Sequence, residues 1–291
     1  TIQQDKDYQD FYAYHLNSAN GLVFLQPDLP GLDSFYRYFL GSLTPFPALQ
    51  WGIPSINGPL ALALHRRAIL EEALMAESRG ASSTPPGSRF IDVLGVRYFS
   101  FNKEIDTPGF TLMFSNPEGD LLIYRNEYAK PKLRTYFAAE WVRSPDEAMD
   151  RVTRVSPETI VIEADRLPVG TDLERCPQGD ASTRIERREF SSQYYKIVVE
   201  SPCPGWLYLS DAYYPGWSAL VDGVPAELYP AQVLGKAVKI PQGSSVVEFV
   251  YRPQSFYTGA IVSGVAWLAL CLFMLWRGCV VLRGRRLWHR R

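Results

Sequence analysis

The end of the chain constrains it most. From Pro253 to Trp276 there is no charged residue, and the run from Phe256 to Trp276 is apolar or small almost throughout. At a rise of ~1.5 Å per residue, a helix of this length covers roughly 30 Å, the thickness of a bilayer's hydrocarbon core. A helix of that length in a soluble core is expected to carry a polar stripe, and this one has none. The stretch therefore predicts a transmembrane helix. Arg277, Arg283, Arg285, Arg286, Arg290 and Arg291 follow it, and no acidic residue comes after Glu248. The positive-inside rule then predicts a cytoplasmic C-terminus and places residues 1–252 outside the cytoplasm. Tyr257 and Trp276 fall at the two membrane boundaries, where an aromatic belt is expected.

That orientation calls for an earlier signal or span. Thr1 to Asp10 (TIQQDKDYQD) is polar and has neither a basic n-region nor an apolar h-region. The expectation is a C-terminal piece of a larger membrane protein. Its partners are then the lipid bilayer and the upstream transmembrane helices of the same protein.

A net charge of −1 with 21% charged residues excludes a nucleic-acid partner, which needs a basic face, since topology already accounts for the C-terminal arginines. Histidines stand only at 15, 65 and 289, and the four cysteines fit no zinc spacing, so no metal and no cofactor is expected. Cys176 and Cys203 lie in the outside region, Cys271 and Cys279 in or beside the membrane. In an oxidising compartment the first two are a candidate disulfide, worth ~3 kcal/mol in the chain-entropy model; two unpaired thiols are the alternative.

In chain order, residues 1–58 are aromatic and turn-rich, with a weak helical period through Tyr8, Phe11, Tyr12 and His15. Leu60–Glu77 (LALALHRRAILEEALMAE) has the composition of a soluble helix, and Ser78–Ser88 that of a flexible loop. Phe90–Phe101, Phe110–Ser115, Asp120–Arg125, Leu133–Trp141 and Glu158–Ala164 read as strands. Ser144 with Pro145 behind it and Glu147 three residues on opens a short helix. After the loop 165–181 the texture becomes purely β, with seven short runs between Ser182 and Tyr251. Turn signals separate them, among them Tyr214-Pro215-Gly216, Asp222-Gly223 and Pro241-Gln242-Gly243. The expected fold is an α+β N-terminal part, then an all-β antiparallel sandwich and one C-terminal transmembrane helix. The expected domains are an α+β unit at 1–165, a sandwich at 182–252, the span at 254–276 and a basic tail at 277–291.

No residue pattern here makes a complete active site: there is no nucleophile elbow, phosphate-cradling glycine loop or metal cluster. Asp211 and Asp222 could serve as acid or base, yet both sit beside turns, where Asp is favoured structurally. Trp206, Tyr208, Tyr213, Tyr214 and Trp217 could form an aromatic platform for sugar rings. Several of them are equally needed to fill the sandwich core.

Trp206–Gly223 (WLYLSDAYYPGWSALVDG) and Ile240–Pro253 (IPQGSSVVEFVYRP), with the span behind them, resemble the C-terminal end of the bacterial YfhO family. Gly52–Gly58 (GIPSING), Leu94–Phe99 (LGVRYF), Tyr124–Phe137 (YRNEYAKPKLRTYF) and Ser144–Met149 (SPDEAM) match in the same order. The resemblance implies a polytopic protein of the bacterial plasma (inner) membrane, similar to GT-C-type glycosyltransferases. Those enzymes take sugars from polyprenyl-phosphate carriers outside the cytoplasm, and their catalytic acid lies in an early extracytoplasmic loop of the membrane part. No catalytic residue carries over to this chain. Three readings follow. The first is the accessory part of a transferase, with polyprenyl-phosphate sugar and a glycan acceptor as ligands of the whole. The others are a non-catalytic carbohydrate-binding module and a structural or partner-binding ectodomain of a transport or assembly protein.

Overall fold

A computed structural model of the protein describes residues 12–15, 89–101, 104–106, 108–116, 121–165, 176 and 183–288. The helix expected at Leu60–Glu77, the loop after it and most of the loop at 165–181 lie outside them. Strands dominate the described residues. The fold is α+β in its N-terminal part, then an antiparallel sandwich, then one long apolar helix.

Strand β1 (Tyr12–His15) pairs in parallel with β2 (Val96–Phe101). Over Tyr12–His15 the expected helical spacing thus gives way to sheet pairing, which supplies four residues with backbone partners that a weak amphipathic turn lacks; Tyr8 and Phe11 lie outside the described residues. A second correction concerns Phe90–Phe101, expected as one strand. Helix α1 (Arg89–Leu94) occupies its first half and β2 its second. Gly95 divides them: its φ is +83°, and a Cβ there would lie 2.7 Å from the carbonyl oxygen of Lys130. Strands β3 (Phe110–Ser115) and β4 (Leu122–Asn126) complete a sheet in the order β1-β2-β4-β3.

Leu133–Trp141, expected as one strand, is broken at Phe137 into β5 (Leu133–Tyr136) and β6 (Ala138–Val142). Helix α2 (Pro145–Val152) follows with the expected cap, the Glu147 N–H donating to Ser144 Oγ at 3.2 Å, and buries Ala148 and Val152. Then β7 (Thr159–Glu163) pairs with β6 in parallel. Strands β8 (Arg184–Phe190), β9 (Tyr194–Ser201), β10 (Gly205–Leu209), β11 (Trp217–Val221), β12 (Val224–Ala226), β13 (Leu228–Ala231), β14 (Gly235–Ile240) and β15 (Gly243–Tyr251) come after it. One sheet runs β5-β10-β14-β13-β7-β6 and the other β12-β11-β15-β9-β8.

The six-stranded order has a geometric consequence. Its two edge strands, β5 and β6, are joined by a single residue, so the sheet must roll up until its edges meet. Ring contacts across the enclosed space agree: Trp141 of β6 lies 5.6 Å from Trp206 of β10 and 5.5 Å from Tyr229 of β13. Side chains alternate across the wall, as strand geometry requires. Tyr136, Ile160, Ile162, Trp206, Tyr208, Tyr229, Ala231 and Ala237 fill the inside. Leu207, Leu209, Val238 and Ile240 point outward and pack on Ile197, Val199, Ala219, Val247 and Phe249 of the five-stranded sheet, which makes the sandwich. Elsewhere on the outer wall, Val142 and Val161 join α1, α2, β2 and β4 in a third core. Strands from before residue 165 and after residue 182 therefore share one sheet.

Helix α3 (Gln254–Trp288) leaves β15 after two residues. Its segment Gln254–Arg277 is 24 residues long and none of it is buried, so by length and composition it can cross a membrane. The helix continues unbroken through the basic region to Trp288.

Candidate functional site

Sheet pairing leaves one conspicuous irregularity on the outer wall of the barrel. Strand β14 (GKAVKI) sends Lys236 outward among apolar neighbours, and the side chain is 0% exposed. A buried ammonium needs compensation. Asp211, two residues beyond β10, supplies it: Lys236 Nζ donates to Asp211 Oδ2 at 3.0 Å and to the Asp211 carbonyl at 3.3 Å. Nζ also lies 3.9 Å from the centroid of the Trp217 ring, a close cation–π contact. Tyr195 stacks on that ring at 5.5 Å and donates from Oη to Asp211 Oδ2 at 3.0 Å. Burial pulls Lys236 below its ordinary value, against the pull of Asp211, and pushes the Tyr195 hydroxyl well above the ordinary tyrosine value.

Asp211 and Tyr195 also face a cavity of about 430 Å³ between the barrel and the β8–β9 hairpin. Leu133, Ile185 and Leu209 form its apolar wall, Phe190 an aromatic one, and Lys132 and Arg187 bring two further cations. The Ser210 N–H donates to the Lys132 carbonyl at 2.7 Å, which ties the approach to β5 to the end of β10. Lys132 is half-buried, and desolvation lowers it to about 8, partly offset by Asp211. The Arg187 guanidinium sits 5.6 Å above the Phe190 ring. This set offers an anion two cations, a hydroxyl-bearing ligand a carboxylate, and a flat apolar surface two ring edges.

The residues of the expected aromatic platform fall into two groups. Trp206 and Tyr208 are inside the barrel, 2% and 0% exposed. Tyr213 is half-buried, with its N–H on the Leu234 carbonyl, while Tyr214 is 44% exposed and Trp217 half-buried beside the cavity. Asp222 is a turn residue with φ +52°, and its carboxylate accepts the Val246 N–H at 2.7 Å. A disulfide joins Cys176 to Cys203, with Cα atoms 5.7 Å apart. Among the described residues no group of three His, Cys, Asp or Glu side chains is placed to hold a metal ion. Sequence reasoning passed over Lys132, Arg187, Tyr195 and Lys236. The signal for Lys236 was available, namely a lysine inside an otherwise apolar strand; cavity-lining by the other three depends on pairings between distant strands.

The cavity lies at the end of the sandwich nearest the long helix. In the sheet register Tyr195 stands opposite Phe249 and Trp217 opposite Tyr251, and α3 begins at Gln254. The segment that carries these features also decides the comparison with known families. Residues 178–263 match the family model of the bacterial membrane protein YfhO. The YfhO-like stretch takes in β8 to β15 and the start of α3, so the resemblance read from the sequence holds where the sandwich meets the apolar helix. That stretch, with the apolar helix it enters, is similar to the YfhO membrane proteins. Neither the curated proteins nor the solved structures compared with it gave a match.

Proposed function

We propose that this chain is the extracytoplasmic C-terminal part of a polytopic inner-membrane glycosyltransferase of the polyprenyl-phosphate-sugar-dependent kind. In this reading it acts on cell-envelope glycans as a cap over the membrane site and leaves the chemistry to other parts of the protein. The observation that carries the reading is the YfhO match, which runs without interruption from the sandwich into the apolar helix. The arginines after Trp276 support an inside C-terminus and an outside body. Sugar transfer from a lipid carrier needs an acid or base within hydrogen-bond reach, ~3 Å, of the reacting atoms. Asp211, the carboxylate of the cavity, is engaged by Lys236 and Tyr195 and serves better as an acceptor of ligand hydroxyls than as a free base.

The test is reconstitution in liposomes with polyprenyl-phosphate sugar. The chain alone should release no product above background, while the longer protein that contains it should turn over. Turnover by the chain alone would place the chemistry within it. A carbohydrate-binding module is the second reading, favoured by Phe190 and Tyr195 at one cavity, with Trp217 stacked on Tyr195.

A further inference from the structure

We infer that the sandwich itself touches the bilayer, through the β8–β9 turn (residues 191–193) and the β10–β11 loop (residues 213–216), which rest in the lipid headgroup layer around the start of α3. The sandwich is thereby seated on the membrane and does not swing from its helix. The inference rests on α3 crossing the bilayer and not on the transferase reading.

Backbone bonds fix both loops to the residues that lead into the helix. Strand β15 runs between β9 and β11. On the β9 side the Tyr251 N–H donates to the Gln193 carbonyl at 2.8 Å, and on the β11 side the Arg252 N–H donates to the Gly216 carbonyl at 2.8 Å. A Cβ on Gly216 would lie 2.9 Å from the Cα of Pro253, so this loop packs against the residue that precedes α3. The loops therefore move with β15, and the freedom that remains is a swing about residues 253 and 254. The apolar segment Gln254–Arg277 has 24 residues, roughly 36 Å as a helix against a hydrocarbon core of ~30 Å. Its first turn thus already stands in the headgroup layer, close beneath the two loops.

Surface chemistry points the same way. Among the described residues between 183 and 253, three large apolar side chains are exposed: Phe190, Tyr214 and Val224. The two aromatic ones flank the start of α3, one on each side of β15, with Phe190 packed on Tyr195 at 4.7 Å and Tyr214 lying 6.5 Å from Tyr251. Phe256 and Tyr257 continue the ring of aromatics in the first turn of the helix, 68% and 53% exposed. Around them the surface is polar: Ser191, Gln193 and Arg252 are exposed, and Arg252 brings a cation to the level of the lipid phosphates. Separate rings set among polar groups suit the membrane–water interface, whereas a partner helix would call for a continuous apolar groove. Half-burying each exposed ring favours the seated state roughly three- to tenfold.

Spin labelling of the full chain in nanodiscs tests this, in a background carrying Cys271→Ser and Cys279→Ser. Labels at Ser192→Cys and Pro215→Cys report on the two loops. Ser244→Cys lies seven positions before Tyr251 on β15, roughly 24 Å away at ~3.4 Å per residue, and Val265→Cys lies within the apolar helix. Relaxation by nickel chelated to a lipid headgroup is the readout. The two loop labels should relax several-fold faster than those at 244 and 265. Phe190→Ser combined with Tyr214→Ser should bring the loop labels down toward the value at 244, while Phe190→Trp with Tyr214→Trp should keep them high; circular dichroism confirms that each variant is folded. Loop labels no faster than the label at 244, or no change on the double serine replacement, would overturn the contact. Fast relaxation at 265 would overturn it as well, by showing that α3 does not span. The transfer assay shares none of these readouts, so the membrane contact and the transferase reading fail separately.

Discussion

Lys236 shows how a single residue shapes this protein's response to pH. Burial lowers its proton affinity, and Lys132, across the same cluster, falls to about 8; in both, desolvation outweighs the opposing pull of Asp211. Arg187, Tyr195 and Asp211 face the same space. Because the unfolded lysines hold their protons up to the ordinary 10.5, the unfolded chain binds more protons than the folded one above about pH 8. Stability therefore rises with pH across that window. The tyrosines act in the opposite sense: burial pushes Tyr208 up to about 12 and raises Tyr195 and Tyr229 further, so the folded chain keeps protons that the unfolded one releases above 10. The melting temperature of the full chain in detergent should climb from pH 8 toward 10 and decline beyond it, and Lys132→Met should flatten the climb. A steady fall from pH 8 upward would contradict this assignment of proton affinities. At this scale the sequence was least informative, because the partners of Lys236, Asp211 and Tyr195, come from different strands and no spacing along the chain announces them.

Among the elements, the join between sandwich and helix invites a mutational test. Gly216 has φ +112°, and a Cβ would lie 2.9 Å from the Cα of Pro253; its carbonyl accepts the Arg252 N–H at 2.8 Å. Gly216→Ala combines backbone strain of roughly 1–3 kcal/mol with a backbone clash. It should lower the melting temperature by several degrees, about 2–4 °C per kcal/mol for a body of this size, whereas Gly223→Ala adds strain without a clash because nothing lies within 4 Å of its Cβ position. Equal losses in the two variants would mean that the contact with Pro253 contributes nothing. Elements were largely legible in the sequence wherever local chemistry decides them. The Asp222-Gly223 turn, the Ser144 cap and the alternation in β9 and β15 follow from turn preferences, capping and strand period. Legibility failed where pairing overrode local preference, as in β1, and where one glycine split a uniformly apolar run into α1 and β2. The bend at Phe137 left no mark either, since a rolled sheet and a flat one share the same alternation.

For the molecule as a whole, the charge asymmetry around α3 predicts orientation. In a background lacking Cys271 and Cys279, Ser255→Cys should react with an impermeant thiol reagent in intact cells and Leu287→Cys should not; the reverse pattern would invert the topology. The rolled sheet has a further consequence for how the chain is made. Strand β5 must wait for its partner β10 and β7 for its partner β13, and β14, which joins β10 to β13, is complete only when the ribosome has synthesised residues up to Ile240; α3 begins fourteen positions later. Until then β5 and β7 are open edges, prone to pair wrongly, and closure must wait for contacts of long sequence separation. Barrel closure and entry of the last helix into the bilayer are thus nearly simultaneous, so a lesion that delays either event holds an unsealed sheet at the membrane surface, where aggregation and proteolysis compete with folding.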